Sequence, residues 1–389
     1  MADTERIFRQ PDITAVVGRY HTQISKGLRD TVESVRASLF PAAFAVPLLD
    51  SFYGQIEYHL GWRHPDLTRA RTHPGKLLRP TLLLLGCELA AGSAGLDADA
   101  RSECVRRAIP AAVCVELIHN FSLVHDDIED GDEERRHRPT LWKLWGVPQA
   151  INTGDGIFSI ARASLWRLVD EGVDPAAIVH LAALVDRTCI ELCEGQFLDM
   201  TYEGRRDITV NLYLEMIERK TASLMACALE MGGILGAPQN HALAKRLAEF
   251  GRRLGMAFQL RDDLLGIWAR EEELGKTAAG DLRRKKMSLP VIAALETARG
   301  EDLDFLSRMY TNSSLASDEQ IKEALAILAR TGARDRVRAA LIEQGAMARD
   351  ALDTAAEGAP EAREAHELLT ALLDLVVAAA GDQASATAT

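Results

Sequence analysis

Long stretches of the chain repeat apolar residues at the spacing of an α-helix. From Ile109 to Val124 the apolar side chains lie nearly all round the predicted helix, which is typical of a helix buried in a large core. Near the C-terminus, Ile321, Leu325 and Leu328 form one apolar stripe, as in an amphipathic helix. Alternating β-branched runs of convincing length are absent from the sequence. The pattern therefore predicts an all-α protein, built as a single large helical bundle.

Two clusters of carboxylates interrupt this apolar pattern. The first contains Asp126, Asp127 and Asp130, and the second contains Asp262 and Asp263. Asp126 and Asp130 are four residues apart, so they share one face of a helix, where like charges repel each other. Carboxylates at the end of a buried helix lose their charge unless cations hold them ionised. The clusters therefore indicate cation binding.

The chemistry of these side chains indicates which cation they bind. Their ligand atoms are all oxygen and no cluster of Cys or His lies nearby, which favours a hard ion. Mg²⁺ usually binds through one or two carboxylates together with substrate phosphates. A single cluster would be explained as well by a solvated turn, but both are followed by basic residues in a chain of formal net charge -12. We interpret them as two half-sites for a Mg²⁺-bound phosphate ester.

Other short motifs flank the acidic clusters. Residues 75–80 read GKLLRP, residues 126–130 read DDIED and residues 195–199 read GQFLD. Lys220-Thr221, Phe258-Gln259 and a basic loop that ends at Pro290 follow in that order. From about residue 74 to residue 290 this series resembles the trans-isoprenyl diphosphate synthases, also called polyprenyl synthetases. The resemblance implies an isoprenoid synthase-like fold, in which the helical bundle surrounds a central apolar cavity.

The resemblance also implies roles for particular residues. The diphosphate of isopentenyl diphosphate would be bound by Lys76, Arg79, His119 and Arg136. The diphosphate of the allylic substrate would be bound by Arg135, Lys220 and Lys276. Three Mg²⁺ ions would be held by Asp126, Asp130 and Asp262. Further catalytic or substrate-binding positions of the same motifs are Asp127, Asp263, Gln196, Thr221, Gln259 and Lys286.

Two positions depart from the family pattern. The second acidic motif usually ends in Asp, but Gly266 stands there, so we expect one weakened metal site rather than an inactive enzyme. His137 stands where the family usually has Gly, so we expect a different conformation of that loop, because His tolerates a positive φ less well than Gly.

The chemistry implied by the resemblance is the condensation of isopentenyl diphosphate with an allylic diphosphate. Breaking the allylic C–O bond leaves a diphosphate of growing negative charge, which Mg²⁺, Arg and Lys stabilise. The allylic cation must then meet the second substrate before water does, which requires a dry apolar cavity. The departing diphosphate is expected to take the final proton, so the sequence needs no dedicated base.

Product length can be predicted from the helix that carries the first motif. Phe121 and Ser122 precede Asp126 by five and four residues, and so lie about one turn, roughly 5 to 7 Å, deeper along the helix. An aromatic ring there would act as a floor for the growing chain, although a Phe on a buried helix is more commonly plain core. In the family, one aromatic at the deeper position accompanies a C20 product. The pair therefore favours geranylgeranyl diphosphate.

Length and composition are compatible with this interpretation. The chain has 389 residues, of which 47% are hydrophobic and only 5% aromatic, enough for one large core. We expect an N-terminal helical extension over residues 1–40, the prenyltransferase domain over 41–380 and a frayed tail over 381–389. No membrane span, signal peptide or nucleic-acid partner is expected, and the six cysteines lack metal spacing, so we predict a cytoplasmic enzyme. A homodimer is implied by the resemblance alone.

Several alternatives stay open at this point. Farnesyl or geranylfarnesyl diphosphate could be the product. A class I terpene cyclase would ionise the same substrate, but it needs no second diphosphate site. The ExxH spacing of Glu116 and His119 is typical of a di-iron helical bundle, although the sequence has no second copy. Gly266 also motivates a non-catalytic partner subunit, although such a subunit would be expected to lose the first motif.

Overall fold

The helical spacing of the sequence corresponds to α-helices throughout the computed structural model, which describes residues 13–39, 48–70, 75–268, 279–311 and 315–378. Strand structure in these described ranges is confined to one two-stranded hairpin and an isolated bridge between Arg63 and Arg69. The predicted all-α class is therefore confirmed. The predicted division into residues 1–40, 41–380 and 381–389 stays a prediction, because residues 1–12, 40–47 and 379–389 lie outside the description.

In the first half of the described chain, the hairpin follows the sixth helix. The elements are α1 (Ile13–Gly18), α2 (His21–Leu39), α3 (Leu49–His59), α4 (Leu78–Ser93), α5 (Ala98–Arg107), α6 (Ile109–Glu129), β1 (Glu134–Arg135), β2 (Arg138–Pro139), α7 (Leu141–Trp145) and α8 (Val147–Trp166).

The second half contains two long helices and a short π-helical turn. The elements are α9 (Pro175–Tyr202), α10 (Val210–Ile217), the π turn (Glu218–Ala222), α11 (Ser223–Gly236), α12 (His241–Trp268), α13 (Gly280–Arg283), α14 (Leu289–Thr297), α15 (Gly300–Thr311), α16 (Asp318–Arg330), α17 (Ala333–Ala356), a 3₁₀ turn (Pro360–Ala362) and α18 (Arg363–Ala378).

The chain divides into two compact units. Unit 1 comprises Met1–Cys189, Cys227–Ala248 and Ala355–Leu369, and α6 forms its core. This helix packs against α8, α4 and α2, and its residues 111–118 are all buried, which agrees with the apolar pattern seen all round it in the sequence. Glycine permits close packing here: a Cβ at Gly27 of α2 would lie 2.7 Å from Ile109 Cγ2. Unit 1 therefore places the first acidic motif at the end of a helix whose residues 111–118 are all buried.

Unit 2 comprises Ile190–Ala226, Glu249–Thr354 and Thr370–Thr389. Helix α14 is buried on nearly every side and contacts α10, α15 and α16. Arg336 binds the carbonyl of Ala293 at 2.8 Å and the carboxylate of Glu296 at 3.0 Å, which ties α17 to the end of α14. The first turn of α16 is closed by a capping box between Ser317 and Gln320. These contacts hold the region that follows the second acidic motif.

Within the described residues, no single helix has both the length and the hydropathy that crossing a membrane requires. One bent pair, Ala98–Arg107 with Ile109–Glu129, passes only when its two helices are joined across a 43° bend.

Candidate active site

The first acidic motif lies at the C-terminal end of α6 in unit 1. Asp126 is half-buried and Asp130, at the C-cap of the helix, is exposed, whereas Asp127 is only 2% exposed. The helix therefore separates the motif into two outer carboxylates on one face and one inner carboxylate, as the spacing predicted. The outer pair can meet a ligand, and the inner one needs partners within the protein.

Arg135 of the hairpin is the partner of the inner carboxylate. Its Nε donates to Asp127 Oδ1 at 2.5 Å. Burial raises the pKa of Asp127 to about 6, while the charge and hydrogen bond of Arg135 act in the opposite direction. Arg135 thus fixes Asp127 and connects the end of α6 to the hairpin.

The hairpin turn consists of Arg136 and His137, which join β1 to β2. Both residues have a positive φ, 54° and 58°, as a two-residue type I′ turn requires. Each non-glycine residue in this left-handed region costs roughly 1 kcal/mol or more. His137 adopts the positive φ that Gly would tolerate at this position. The expected difference of the loop from that of other family members stays a prediction.

Basic and acidic side chains of α4, α6 and the hairpin form a second group in unit 1. Arg79 Nη1 lies 3.1 Å from His119 Nε2, and because a guanidinium can only donate, the imidazole nitrogen must accept. Burial, followed by the charges of Arg79 and Arg136, holds the pKa of His119 well below its usual value. A neutral His119 therefore carries its proton on Nδ1.

Two further features position this basic group. Gly75 has φ +107°, and a Cβ there would lie 2.9 Å from the Arg136 guanidinium carbon, so glycine makes room for that side chain. Glu116, 3% exposed, accepts a hydrogen bond from Asn120 Nδ2 at 2.8 Å. Burial raises the pKa of Glu116 to about 6, whereas Asn120 and the nearby Arg136 lower it. Glu116 and His119 therefore serve different partners, which argues against their use as a di-iron ExxH pair.

A cavity of about 330 Å³ opens beside the hairpin in unit 1. Asp127, Arg135 and Arg136 line it, together with His59 at the end of α3. His59 Nε2 is buried without a hydrogen-bond partner, and burial together with the charges of Arg136 and Arg135 lowers the pKa of His59 to about 3. Sequence reasoning gave His59 no role, because its spacing from the motifs carries no signal.

The predicted chain-length residues lie on α6 above a second aromatic ring. Phe121 is half-buried and packs edge-on against Phe158 of α8, with ring centroids 5.1 Å apart. Ser122 donates to the carbonyl of His119 at 2.9 Å and so leaves little side chain beyond the helix surface. Phe158 was missed by sequence reasoning, since it lies outside every recognised motif.

The second acidic motif lies near the end of α12 in unit 2 and repeats the same division. Asp262 is exposed, whereas Asp263 is 1% exposed. The inner carboxylate accepts from Tyr213 Oη at 2.6 Å, Gln259 Nε2 at 3.1 Å and the backbone N–H of Leu289 at 3.2 Å. Burial raises the pKa of Asp263 to about 6, against the charge of Lys286 and these hydrogen bonds. Three segments of unit 2 therefore hold one side chain.

Lys286 of the basic loop lies among carboxylates of unit 2. Desolvation lowers the pKa of its ammonium group, but the charges of Asp263, Asp281 and Asp199 outweigh this and raise the pKa overall. Lys276, the other predicted lysine of this loop, lies outside the described residues.

The π turn presents the predicted Lys220-Thr221 pair. Lys220 Nζ donates to the carboxylate of Asp199, and Thr221 donates to Gln259 at 3.1 Å. Two glycines lie against the turn. A Cβ at Gly195 of α9 would lie 2.3 Å from the backbone nitrogen of Lys220, and one at Gly255 of α12 would lie 2.5 Å from Ala222 Cα. Isolated π turns often occur at functional sites. Gln196 follows Gly195 on α9 and is half-buried.

The donor atoms fit the hard cation that the sequence predicts. Asp126, Asp130 and Asp262 offer only oxygen, and two of the three are exposed. Across the residues that the structure describes, groups of three or more His, Cys, Asp or Glu side chains close enough to cage a metal do not occur.

Comparison with known proteins identifies the class of enzyme. The model of the polyprenyl synthetase family matches residues 66–328, which include both acidic motifs. The chain therefore belongs to the polyprenyl synthetase family. Members of this family are prenyltransferases that depend on Mg²⁺.

Individual relatives are similar over most of their length. The chain is 37% identical to a (2E,6E)-farnesyl diphosphate synthase of Mycobacterium tuberculosis over 335 residues, 85% of this chain and 84% of that protein. It is also 37% identical to a geranylgeranyl diphosphate synthase of the same species over 292 residues, 73% and 79% of the two chains. A polyprenyl synthetase of Streptomyces coelicolor shares the fold with a TM-score of 0.78 at 35% identity, covering 94% of this chain and all of that one. Identity alone does not separate the C15 and C20 products.

Proposed function

We propose that the protein is a short-chain trans-prenyl diphosphate synthase that condenses isopentenyl diphosphate with an allylic diphosphate and ends mainly at geranylgeranyl diphosphate. The observation that carries the product length is Phe121, which lies one turn before Asp126 on α6, next to the small Ser122. A chain that grows along α6 from Asp126 meets one ring of that helix at this depth and not two. The series of family motifs carries the reaction itself.

Asp126, Asp130 and Asp262 would hold Mg²⁺ in this proposal, as three ions per active site. The ions supply positive charge that stabilises the diphosphate as the allylic C–O bond breaks. Asp127 and Asp263 do not contact the metal directly in this proposal, because both are buried and hydrogen-bonded within their own unit. They position the neighbouring outer carboxylates.

The basic residues divide between the two substrates. Lys76, Arg79, His119 and Arg136 bind isopentenyl diphosphate, and the Nδ1–H of neutral His119 is a donor for a phosphate oxygen. Arg135, Lys220 and Lys276 bind the allylic diphosphate, with Gln196, Thr221, Gln259 and Lys286 in support. A terpene cyclase has no use for the first group, so the pairing of Arg79 with His119 favours chain elongation.

The decisive experiment sizes the products. Purified protein is incubated with Mg²⁺, labelled isopentenyl diphosphate and dimethylallyl, geranyl or farnesyl diphosphate. We expect C20 as the main product from each starter. Absence of isopentenyl diphosphate consumption would remove the proposed reaction in favour of a cyclase or a non-catalytic partner subunit.

Variants at the floor test the product length separately from the reaction. Phe121→Ala should lengthen the products while turnover continues, and Ser122→Phe should shorten them toward C15 by adding a second ring. Phe52→Ala is a control, because Phe52 packs on α8 at Gly156 rather than on Phe121. Unchanged product length in both floor variants would contradict the role of Phe121.

Farnesyl diphosphate is the second candidate product, and one observation favours it. Phe158 packs against Phe121, so the floor is built from two rings even though only one belongs to α6. If Phe158→Ala lengthens the product as much as Phe121→Ala does, the two rings act together and a C15 product becomes the better assignment.

We also propose that the enzyme is a homodimer. Val147 and Ile151, one turn apart on α8, are 40% and 43% exposed, so unit 1 carries apolar surface that a second copy could cover. Light scattering after size exclusion should give twice the 42.6 kDa of the chain. A monomeric mass at micromolar concentration would contradict the proposal.

A further inference from the structure

Gly266 occupies the last position of the second acidic motif, four residues after Asp262 on α12. The two positions share one helix face. A Cβ built on Gly266 would lie 2.1 Å from Asp281 Oδ2 and 2.6 Å from Asp281 Cγ. Both distances are far below any real contact of a Cβ atom. The space that a side chain at position 266 would occupy therefore already contains a carboxylate, which comes from α13.

Asp281 is held in place by its own short turn. The carbonyl of Asp281 accepts from the Lys286 N–H at 2.9 Å, and the next residue, Leu282, is fully buried. The Asp281 side chain is 13% exposed, and its polar contact with Arg284 is long, 3.5 Å from Oδ1 to a guanidinium nitrogen. Its position beside Gly266 thus follows from the fold of the turn rather than from a strong ion pair.

The charges nearby connect Asp281 to the second motif. Asp281 and Asp263 both raise the pKa of Lys286, and both raise the pKa of the buried Tyr213. Asp281 therefore belongs to the same electrostatic group as the inner carboxylate of the motif, although eighteen positions separate the two in sequence. The carboxylates near the motif in unit 2 therefore include two from outside it, Asp281 and also Asp199 of α9, which acts on Lys286 and Tyr213 in the same direction.

We infer that Asp281 supplies the carboxylate that the second motif lacks, and that it positions the Mg²⁺–diphosphate group bound at Asp262. The inference rests on the proposed function and differs from the expectation drawn from the sequence that Gly266 leaves a weakened metal site. Glycine at position 266 is the residue that lets Asp281 approach. Restoring the family's Asp at 266 would force the Asp281 carboxylate to move and would bring two like charges together.

A swap of the carboxylate between the two positions tests this directly. The variants are Asp281→Asn, Asp281→Ala, Gly266→Asp and the double variant Gly266→Asp with Asp281→Ala. The readout is the Mg²⁺ concentration at which inorganic pyrophosphate gives half of its maximal thermal stabilisation, which requires no catalysis. Asp262→Asn shows the effect of losing the outer ligand. The matched control is Asp302→Asn, which removes an acid of α15 that pairs with Arg330 of α16.

We expect Asp281→Asn and Gly266→Asp each to raise the required Mg²⁺ concentration about tenfold, as loss of a group that supports a metal ligand does. The double variant should return to within about threefold of the wild type, and Asp302→Asn should not differ from it. Thermal melting without ligand identifies variants that fail to fold. If Asp281→Asn fails to fold, the double variant still tests the inference.

Two results would overturn the inference. One is an Asp281→Asn variant that responds to Mg²⁺ and pyrophosphate as the wild type does; the other is a double variant no better than Asp281→Ala alone. Product formation by the wild type distinguishes a failure of this inference from a failure of the proposed function. If the wild type elongates the chain while the swap has no effect, only the role of Asp281 is wrong, whereas a wild type that neither elongates nor binds Mg²⁺ with pyrophosphate contradicts both.

Discussion

The two acidic motifs share one design but differ in what holds them. In each, the second Asp of the pair is almost completely buried and the first is presented outward. Asp127 is held by a single charged partner, Arg135, from the adjacent hairpin. Asp263 is held by Tyr213, Gln259 and the Leu289 N–H. The inner aspartate is thus the structural member of each pair, and the second motif depends on more distant parts of its chain.

The largest expected effect separates the outer carboxylates of the two motifs. Asp126→Asn should lower kcat/KM by roughly 10³-fold, because it removes a proposed ligand of the Mg²⁺ whose charge stabilises the departing diphosphate. Asp262→Asn should lower it less, since Asp281 keeps part of the negative charge on that side. Steady-state kinetics with saturating Mg²⁺ measures both. Equal losses would show that the two motifs are equivalent despite Gly266.

The inner carboxylates should differ in stability, and here the order reverses. Asp263→Ala leaves a buried hydroxyl and a buried N–H without their acceptor, so we expect a loss of about 3 kcal/mol in the free energy of unfolding. Asp127→Ala should cost about 1 to 2 kcal/mol, because the Arg135 side chain is 29% exposed and water can replace its partner. Denaturant titration of both variants tests the order. A larger loss for Asp127→Ala would contradict the structural comparison.

Glu116 gives a smaller effect with a definite pH dependence. Its pKa in the folded protein is about 6, above the ordinary 4.5, so the ionised side chain destabilises the fold above pH 6. This cost disappears as the pH falls through 6 toward 4.5, where the folded protein holds the proton that the unfolded chain lacks. Glu116→Gln keeps the acceptor for Asn120 without the charge.

We therefore expect Glu116→Gln to be more stable than the wild type by about 2 kcal/mol at pH 8, with the difference shrinking toward zero near pH 4.5. Urea titrations at four pH values measure it. Glu133→Gln is the control, because Glu133 is an exposed acid paired with Lys143. A gain that does not change with pH would contradict the burial argument.

The smallest expected effect concerns His59. Its Nε2 is buried without a hydrogen-bond partner in the cavity that Arg135 and Arg136 also line, so the ring fills space beside these two predicted diphosphate-binding side chains. His59→Ala should raise KM for isopentenyl diphosphate about fivefold, equivalent to about 1 kcal/mol, with little change in kcat. His64→Ala, in the exposed loop after α3, serves as the control. A change in kcat alone would place His59 in the chemistry rather than in binding.

Local features of the site followed from sequence, and contacts between distant segments did not. Helical spacing predicted that Asp126 and Asp130 share a face, and the apolar residues nearly all round the preceding segment predicted the buried helix below them. Tyr213 lies 50 residues before the carboxylate that it binds, so no periodicity connects them. The carboxylate beside Gly266 was invisible for the same reason. Gly266 was recognised as a departure, but its physical meaning needed the position of Asp281.

Backbone conformation was the other part that sequence could not provide. Outside glycine, a positive φ occurs in the described ranges at Leu77 and at Arg136-His137, all within or next to the predicted diphosphate-binding motifs, as well as at Leu67, Ala279 and Lys285. Side-chain identity argues against this conformation at each of these positions. The surrounding fold imposes it, so strain of this kind becomes visible only once the tertiary contacts are known.

The π turn at Glu218–Ala222 holds one residue more than a regular turn would, and this surplus has a mechanical meaning. Deleting a single residue there would let α10 and α11 merge into one uninterrupted spiral at little cost to the helix itself. Every side chain on one side of the cut would then rotate by about 100° against those on the other. Lys220 would leave Asp199, and the enzyme would keep its architecture while the Lys220 ammonium group pointed in another direction.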